Sequence, residues 1–280
     1  MKVRPVLASL FFACLLMLAV GPAAAHQPVV VDGETTSVSN PEISKAYYGK
    51  LAGADHTYTI DSDVEFILYV GILVPDIENA NKDVMAEVFS GTELLATIGG
   101  VGAAWVTFYE PFGQNTYWDG GDYRIRAKAG VYMIKVSSPS NQSTYSLAVG
   151  DIESFDLAAI AKTFVVMPEM EREFFYSSAI ELVGTRFGLI YLAVIYSAAL
   201  AVALLYRLLL RKPLLRFIGG ALRSPGRRWR GVVAVALLGL AVTTSWSLAL
   251  IFVSGLLLFD ALFGAFGVAE ATSAERLRPS

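Results

Sequence analysis

Two long apolar runs, Phe187 to Leu210 and Gly231 to Phe259, limit this chain more than any other feature. Each exceeds the ~20 residues a helix needs to cross ~30 Å of hydrocarbon, and neither alternates with the period of a half-buried strand. They predict transmembrane helices over 186–210 and 231–260. Between them, Arg207, Arg211, Lys212, Arg216, Arg223, Arg227, Arg228 and Arg230 lie in a stretch without a single acid. Short basic connections stay in the cytoplasm, so 211–230 is expected to be a cytoplasmic loop and 261–280 a short outer tail. Arg186 and Asp260 are then both expected near the outer interface. A conduction pathway would keep polar groups at mid-span. Here small residues recur four apart instead, in Gly184 with Gly188, Ala199 with Ala203, and Gly239, Thr243 and Ser247. That spacing lets the hairpin pack on itself or on an integral-membrane partner.

The N-terminus has the layout of a secretory signal peptide over 1–25: Lys2 and Arg4, an apolar stretch from Val6 to Val20, then Pro22-Ala23-Ala24-Ala25. An uncleaved anchor is the alternative, and the run is short for one. A lipoprotein signal around Cys14 fits poorly, because the apolar run continues past it. Cleavage after Ala25 would leave His26 first and remove Cys14, the one cysteine, so no disulfide, zinc or thiol chemistry is expected. Residues 26–185 carry 22 acids against 9 bases, a net charge of −13, which argues against nucleic acid and suits a domain outside the cytoplasmic membrane.

From Pro28 to Gly150 the chain reads as short Val-, Ile-, Tyr- and Thr-rich runs with period two, separated by turn residues. Eight or nine such runs predict an all-β sandwich, jelly-roll-like, over 26–150. In Asp63 to Val74, Val64, Phe66, Leu68, Val70 and Ile72 share one face, and the opposite face is nearly as apolar, which predicts a central strand. Val131 to Ser137 and Thr144 to Val149 flank the turn cluster Ser138-Pro139-Ser140-Asn141-Gln142 and read as a hairpin.

Gly130-Val131-Tyr132-Met133-Ile134-Lys135-Val136 with Tyr145-Ser146-Leu147-Ala148-Val149-Gly150 resembles the closing hairpin of bacterial pre-peptidase C-terminal domains. Asp63-Val64-Glu65-Phe66-Ile67-Leu68-Tyr69 is similar to their earlier central strand, with Glu65 where an Asp is more usual. The resemblance spans about 90 residues and stops short of the apolar C-terminal part. It implies an extracellular, non-catalytic sandwich serving as an accessory, binding or processing appendage, although no peptidase is joined to it here.

After Gly150 the period becomes helical. Ile152 to Val166 and Met170 to Leu182 read as two amphipathic juxtamembrane helices within 151–185, interrupted at Pro168. Leu157, Ile160, Ala161, Phe164 and Val165 form an apolar stripe. It is expected on the outer membrane surface, with packing under the sandwich as the alternative, because Phe174, Phe175 and Tyr176 stand where interfacial aromatics anchor.

No hydrolase motif occurs in the ectodomain, and the only histidines are His26 and His56, so no catalytic residue is assigned and no cofactor is predicted. Gly99-Gly100-Val101-Gly102 lacks the third glycine of a nucleotide fingerprint. A freed α-amine and imidazole at His26 could chelate copper, with His56 as a third nitrogen; otherwise His56 is an exposed residue at a strand start. Asp76, Glu78, Asn79, Asn81 and Asp83 offer oxygens for calcium, though Ala80 and Asn81 break the EF-hand pattern. The stretch YEPFGQNTYWDGGDYR, Tyr109 to Arg124, reads as a long loop at one end of the sandwich. Tyr109, Tyr117 and Trp118 could stack on a glycan or peptide while Asn115, Asp119 and Asp122 supply hydrogen bonds. The alternative folds Phe112, Tyr117 and Trp118 inward as loop anchors.

The expected protein is thus a two-pass inner-membrane chain with a periplasmic or extracellular sandwich, acting as a non-catalytic recognition or accessory module. Its competitor is a periplasmic copper-binding protein using His26.

Overall fold

The computed structural model describes residues 26–210 and 227–261 apart from Phe112, Phe155, Ala179 and Ser245. The expected signal peptide over 1–25, the connector 211–226 and the tail beyond 261 lie outside the described residues. The chain divides after Ser178 into two units.

The first unit is a sandwich of two mixed sheets. One runs β1 (Gln27–Val30), β3 (Lys45–Lys50), β11 (Thr144–Val149), β5 (Phe66–Pro75), β9 (Asn115–Ala127), β8 (Val106–Glu110). The other runs β2 (Thr35–Ser37), β4 (His56–Ser62), β10 (Gly130–Ser137), β6 (Met85–Ser90), β7 (Glu93–Gly99). The pairs β1 with β3 and β2 with β4 are parallel, and the rest antiparallel. As expected, β5 is central, between β11 and β9. Its Phe66, Leu68, Val70, Ile72 and Val74 enter the core with Tyr58, Ile60, Val88 and Ile134 of the opposite sheet. Each fully buried side chain of this kind contributes about 1.5–3 kcal/mol. Val64, expected on the same face, precedes the strand and is exposed.

The expected β10–β11 hairpin is not formed. β10 pairs with β4 and β6 and β11 with β3 and β5, so both edges of each strand are occupied within different sheets. The turn cluster instead carries the chain across the sandwich. Asn141, at φ +47°, accepts from the Ser138 amide at 2.8 Å and donates to Asp55 at 2.7 Å. Close packing between neighbouring strands of the six-stranded sheet shows at Gly49, which pairs with Tyr145 and whose Cβ would lie 2.5 Å from the Tyr145 ring.

Helix α1 (Leu157–Phe174) is continuous through Pro168, where the sequence predicts an interruption. The Asp156 side chain caps it by accepting from the Ala159 amide at 2.7 Å. Its buried residues are Thr163, Met167, Met170, Glu171 and Phe174, and Phe174 meets Tyr48 edge-on at 5.3 Å. Docking on the outer face of the six-stranded sheet therefore holds the helix across the hydrogen bond that proline cannot donate. The expected stripe is not the buried face: Ile160, Ala161 and Val165 are exposed. The C-terminal half packs on the sheet, the arrangement that stood as the alternative to the membrane surface.

The second unit holds a 3-10 turn (Glu181–Gly184) and helices α2 (Arg186–Leu210), α3 (Arg227–Thr244) and α4 (Leu248–Ala261). Among the described residues one helix, over Arg186–Tyr206, is long and apolar enough to cross a membrane. The second expected span is two shorter apolar helices. Thr243 and Thr244 turn their hydroxyls onto the Gly239 and Leu240 carbonyls, and Trp246 takes φ +50°, which ends α3. Asp260, expected near the outer interface apart from the basic loop, bonds to Arg230 at 2.6 Å.

Candidate functional site

The stretch from Tyr109 to Arg124 is mostly strand. It contains the end of β8, a tight turn over 111–114, and most of the thirteen-residue β9. In the turn Glu110 Oε2 accepts from the Gly113 amide at 2.6 Å and Gln114 adopts φ +62°. At Gly120-Gly121 the β5–β9 register shifts; the Trp105 ring covers Gly120, Gly121 takes φ +98°, and Asp119 Oδ1 accepts from its amide.

Consecutive strand residues point to opposite faces, so Tyr117 and Trp118 cannot share one stacking platform. Tyr117 is buried under α1, its hydroxyl 3.0 Å from that of Tyr48 and its ring edge-on to Phe175. Trp118 lies on the other face, donating to Asp76 at 2.8 Å with the Lys82 ammonium 3.6 Å above its ring. Asp122 is exposed opposite Gly71, and Tyr109 is exposed on β8. The six residues expected to form one ligand surface are divided among the two faces of the sheet and its edge.

What converges instead is a polar cluster beneath α1. Asn115 Nδ2 donates to Glu171 Oε1 at 2.5 Å, next to the turn that Glu110 closes. Glu171 is only 3% exposed. Burial pushes its carboxyl up to about 7, the Asn115 hydrogen bond opposes this, Glu110 adds to it, and a weaker bond from Ser177 opposes it. Burial likewise raises the Tyr48 hydroxyl to about 12 and that of Tyr117 well above its ordinary value. The tyrosines therefore stay protonated at neutral pH, while Glu171 titrates there. Glu171 escaped the sequence reading because an acid breaks an apolar stripe.

The histidines are not brought together. His26 bonds through Nδ1 to Ser44 just before β3, and burial lowers its pKa against a smaller opposing pull from Glu153. His56 is buried, not exposed as the alternative to metal binding had it; its Nδ1 lies 2.8 Å from the Tyr145 hydroxyl, which lies 2.6 Å from that of Tyr58. Tyr145 pairs with Gly49, so the two histidines bond to residues anchored at opposite ends of β3. In the segment expected to hold calcium, Asp76 receives Trp118 and Asp83 receives Ser143 at 2.7 Å, while Asn79 makes the turn at φ +63°. Glu78 and Asn81 lie in the same connection between β5 and β6. Among the described residues no three His, Cys, Asp or Glu side chains gather as a metal site.

Strand β8 lies at one edge of the six-stranded sheet. Among the described residues it pairs with β9 on one side alone, and Val106, Phe108 and Tyr109 are 58%, 42% and 53% exposed. Phe108 faces Tyr117 across the strands and Tyr109 projects from the opposite face, so both faces of the edge carry apolar or aromatic groups.

No family model matches the chain, and no curated protein does. Solved structures are similar to parts of the chain. The pre-peptidase C-terminal domain of a collagenase from Bacillus anthracis is 11% identical with a TM-score of 0.26, the match covering 43% of this chain and 96% of that one. A beta-glucosidase from Paenibacillus barengoltzii is 14% identical with a TM-score of 0.24, covering 47% of this chain and 14% of the enzyme. A ruminal GH26 endo-beta-1,4-mannanase is 12% identical with a TM-score of 0.23, covering 40% of this chain and 20% of the enzyme. Likeness of this degree carries no statement about ligand or activity.

Proposed function

We propose that this chain is a membrane-anchored, non-catalytic recognition module whose sandwich stands outside the cytoplasmic membrane and takes an extended segment of a partner protein at β8. The observation that carries the reading is the β8 edge: the last strand of its sheet among the described residues, with Val106, Phe108 and Tyr109 exposed. Such an edge is a template for strand addition, in which main-chain hydrogen bonds supply affinity and alternate side chains supply specificity. Natural sheets usually blunt an open edge with charge or proline, and β8 reads Val-Thr-Phe-Tyr-Glu with its one charge at the end. Support for the anchor is the apolar α2, and support for the side of the membrane is the basic connector after it.

A photo-crosslinking residue placed at Thr107 or Tyr109 in living cells tests this. Both positions are expected to give the same protein adduct, while Val131, equally exposed but on β10 in the other sheet, gives none. Identical adducts from all three positions, or none from the two on β8, would refute recognition at this edge.

A further inference from the structure

The contacts within the second unit set the direction of each helix. Ser254 donates to the Ala234 carbonyl at 2.8 Å and Arg230 bonds to Asp260, so α3 and α4 run antiparallel. Tyr191 donates to the Trp246 carbonyl at 3.1 Å and Tyr196 lies 2.8 Å from Ser254, so α4 runs parallel to α2. Gly255 makes the closest approach: a Cβ there would lie 2.8 Å from that of Ala199. The reversal between α3 and α4 takes residues 245–247, and Trp246 within it is buried. Its amide bonds to the Ala241 carbonyl and its own carbonyl is met by Tyr191, so the Trp246 backbone is satisfied inside the protein.

The outward surface of the bundle has the chemistry of a lipid-facing one. Leu189 and Leu205 of α2, Val232 and Val235 of α3, and Leu248 and Val253 of α4 are exposed. The exposed Thr243 and Thr244 hydroxyls are returned to carbonyls of their own helix, as hydrocarbon requires. At the open end, Arg230 and the 6% exposed Asp260 neutralise each other. The apolar surface is continuous with α2, the helix whose length suits a span, so the occupant it fits is lipid acyl chain.

We propose that α3 and α4 form a membrane-inserted helical hairpin, closed at Trp246 toward the end where α2 begins and sealed at its open end by Arg230 and Asp260. The chain following α4 then returns to the side of the basic connector, opposite to the outer tail that a single second span predicts. The inference rests on the proposal that α2 crosses the membrane.

Membrane-impermeant thiol labelling tests it in the full chain, with Cys14→Ser removing the one native thiol. Single cysteines are placed by Ser140→Cys in the exposed β10–β11 connection, Ser224→Cys in the connector and Ser280→Cys in the tail. In intact spheroplasts Ser140→Cys is expected to react, and Ser224→Cys and Ser280→Cys only after the membrane is opened. Reaction of Ser280→Cys but not Ser224→Cys in intact spheroplasts means that the apolar pair crosses an odd number of times, which overturns the hairpin and leaves α2 a span. Reaction of Ser224→Cys together with Ser140→Cys means that α2 does not cross, and the inference falls with it. For the seal, Arg230→Asp and Asp260→Arg are each expected to lower the amount of membrane-integrated protein, and the double exchange to restore it. Absence of rescue refutes the pairing.

Discussion

Glu171→Gln should stabilise the docked position of α1, and only above acidic pH. The wild-type carboxyl is held at about 7 against an ordinary 4.5. The folded state therefore binds the proton more tightly than the unfolded one. Stability from this group is fully present below the unfolded value, is lost as pH rises from 4.5 to about 7, and levels off beyond. The full difference amounts to about 3 kcal/mol against the ionised form. Glutamine has nearly the same shape, keeps an oxygen for the Asn115 amide, and carries no charge beside Glu110. Because the last turn of α1 can relax toward water, a gain of about 1–3 kcal/mol at pH ~8 is expected, falling to near zero at pH ~4. Hydrogen exchange of α1 amides, compared between variant and wild type at matched pH in the solubilised full chain, reads this directly. A difference that stays constant from pH ~4 to ~8, or a variant less protected at pH ~8, would refute the assignment of a strained buried carboxyl.

Gly49→Ala should cost about 2–3 kcal/mol, since its Cβ would overlap a Tyr145 ring held by Tyr58 and His56; an unchanged thermal midpoint would sink the packing argument. His56 is kept neutral by burial, with a smaller opposing pull from Glu34, so its folded pKa is depressed. The sandwich should then lose stability as pH falls below about 6.5, and His56→Gln should flatten that limb of urea midpoint against pH. The β8 crosslinks and the thiol-labelling pattern are the two further expectations, each with its contrary outcome given above.

Periodicity and turn chemistry carried the sequence reading as far as a sandwich with β5 at its centre. Phe66, Leu68, Val70, Ile72 and Val74 recur at every second position because they line the core face of that strand, and such periodicity is a local property. What followed Ser138 was misread because turn residues announce a reversal without saying which sheet receives the chain. That choice depends on which strand edges are already taken, here those of β10 by β4 and β6. The first part of β9 hid behind Asp119, Gly120, Gly121 and Asp122, where a register shift and outward charges interrupt the pattern, so Asn115 to Asp122 read as loop ahead of a strand from Tyr123. Short β1, with Pro28, and three-residue β2 carry too little pattern to register at all.

The helical errors share a different cause, which is that composition averages over faces. The stripe through Ile160 and Val165 is more apolar than the face holding Thr163, Met167, Met170 and Glu171, yet the second is the one the sheet covers. Glu171 acquires its raised pKa from that covering, a property no reading of α1 alone could contain. The second apolar run was long enough for one span, and its break was written in Thr243-Thr244, whose hydroxyls bond to carbonyls of their own helix and compete with helix propagation. Apolar length limits how much chain a bilayer can hold, whereas the placement of Arg230 and Asp260 at the two ends of that run bears on its direction. At the two ends of a single crossing helix the charges would lie at opposite membrane surfaces and could not meet, while the pair of helices joins them at 2.6 Å. The pairing of ends therefore separates a hairpin from a single span, which hydropathy alone does not.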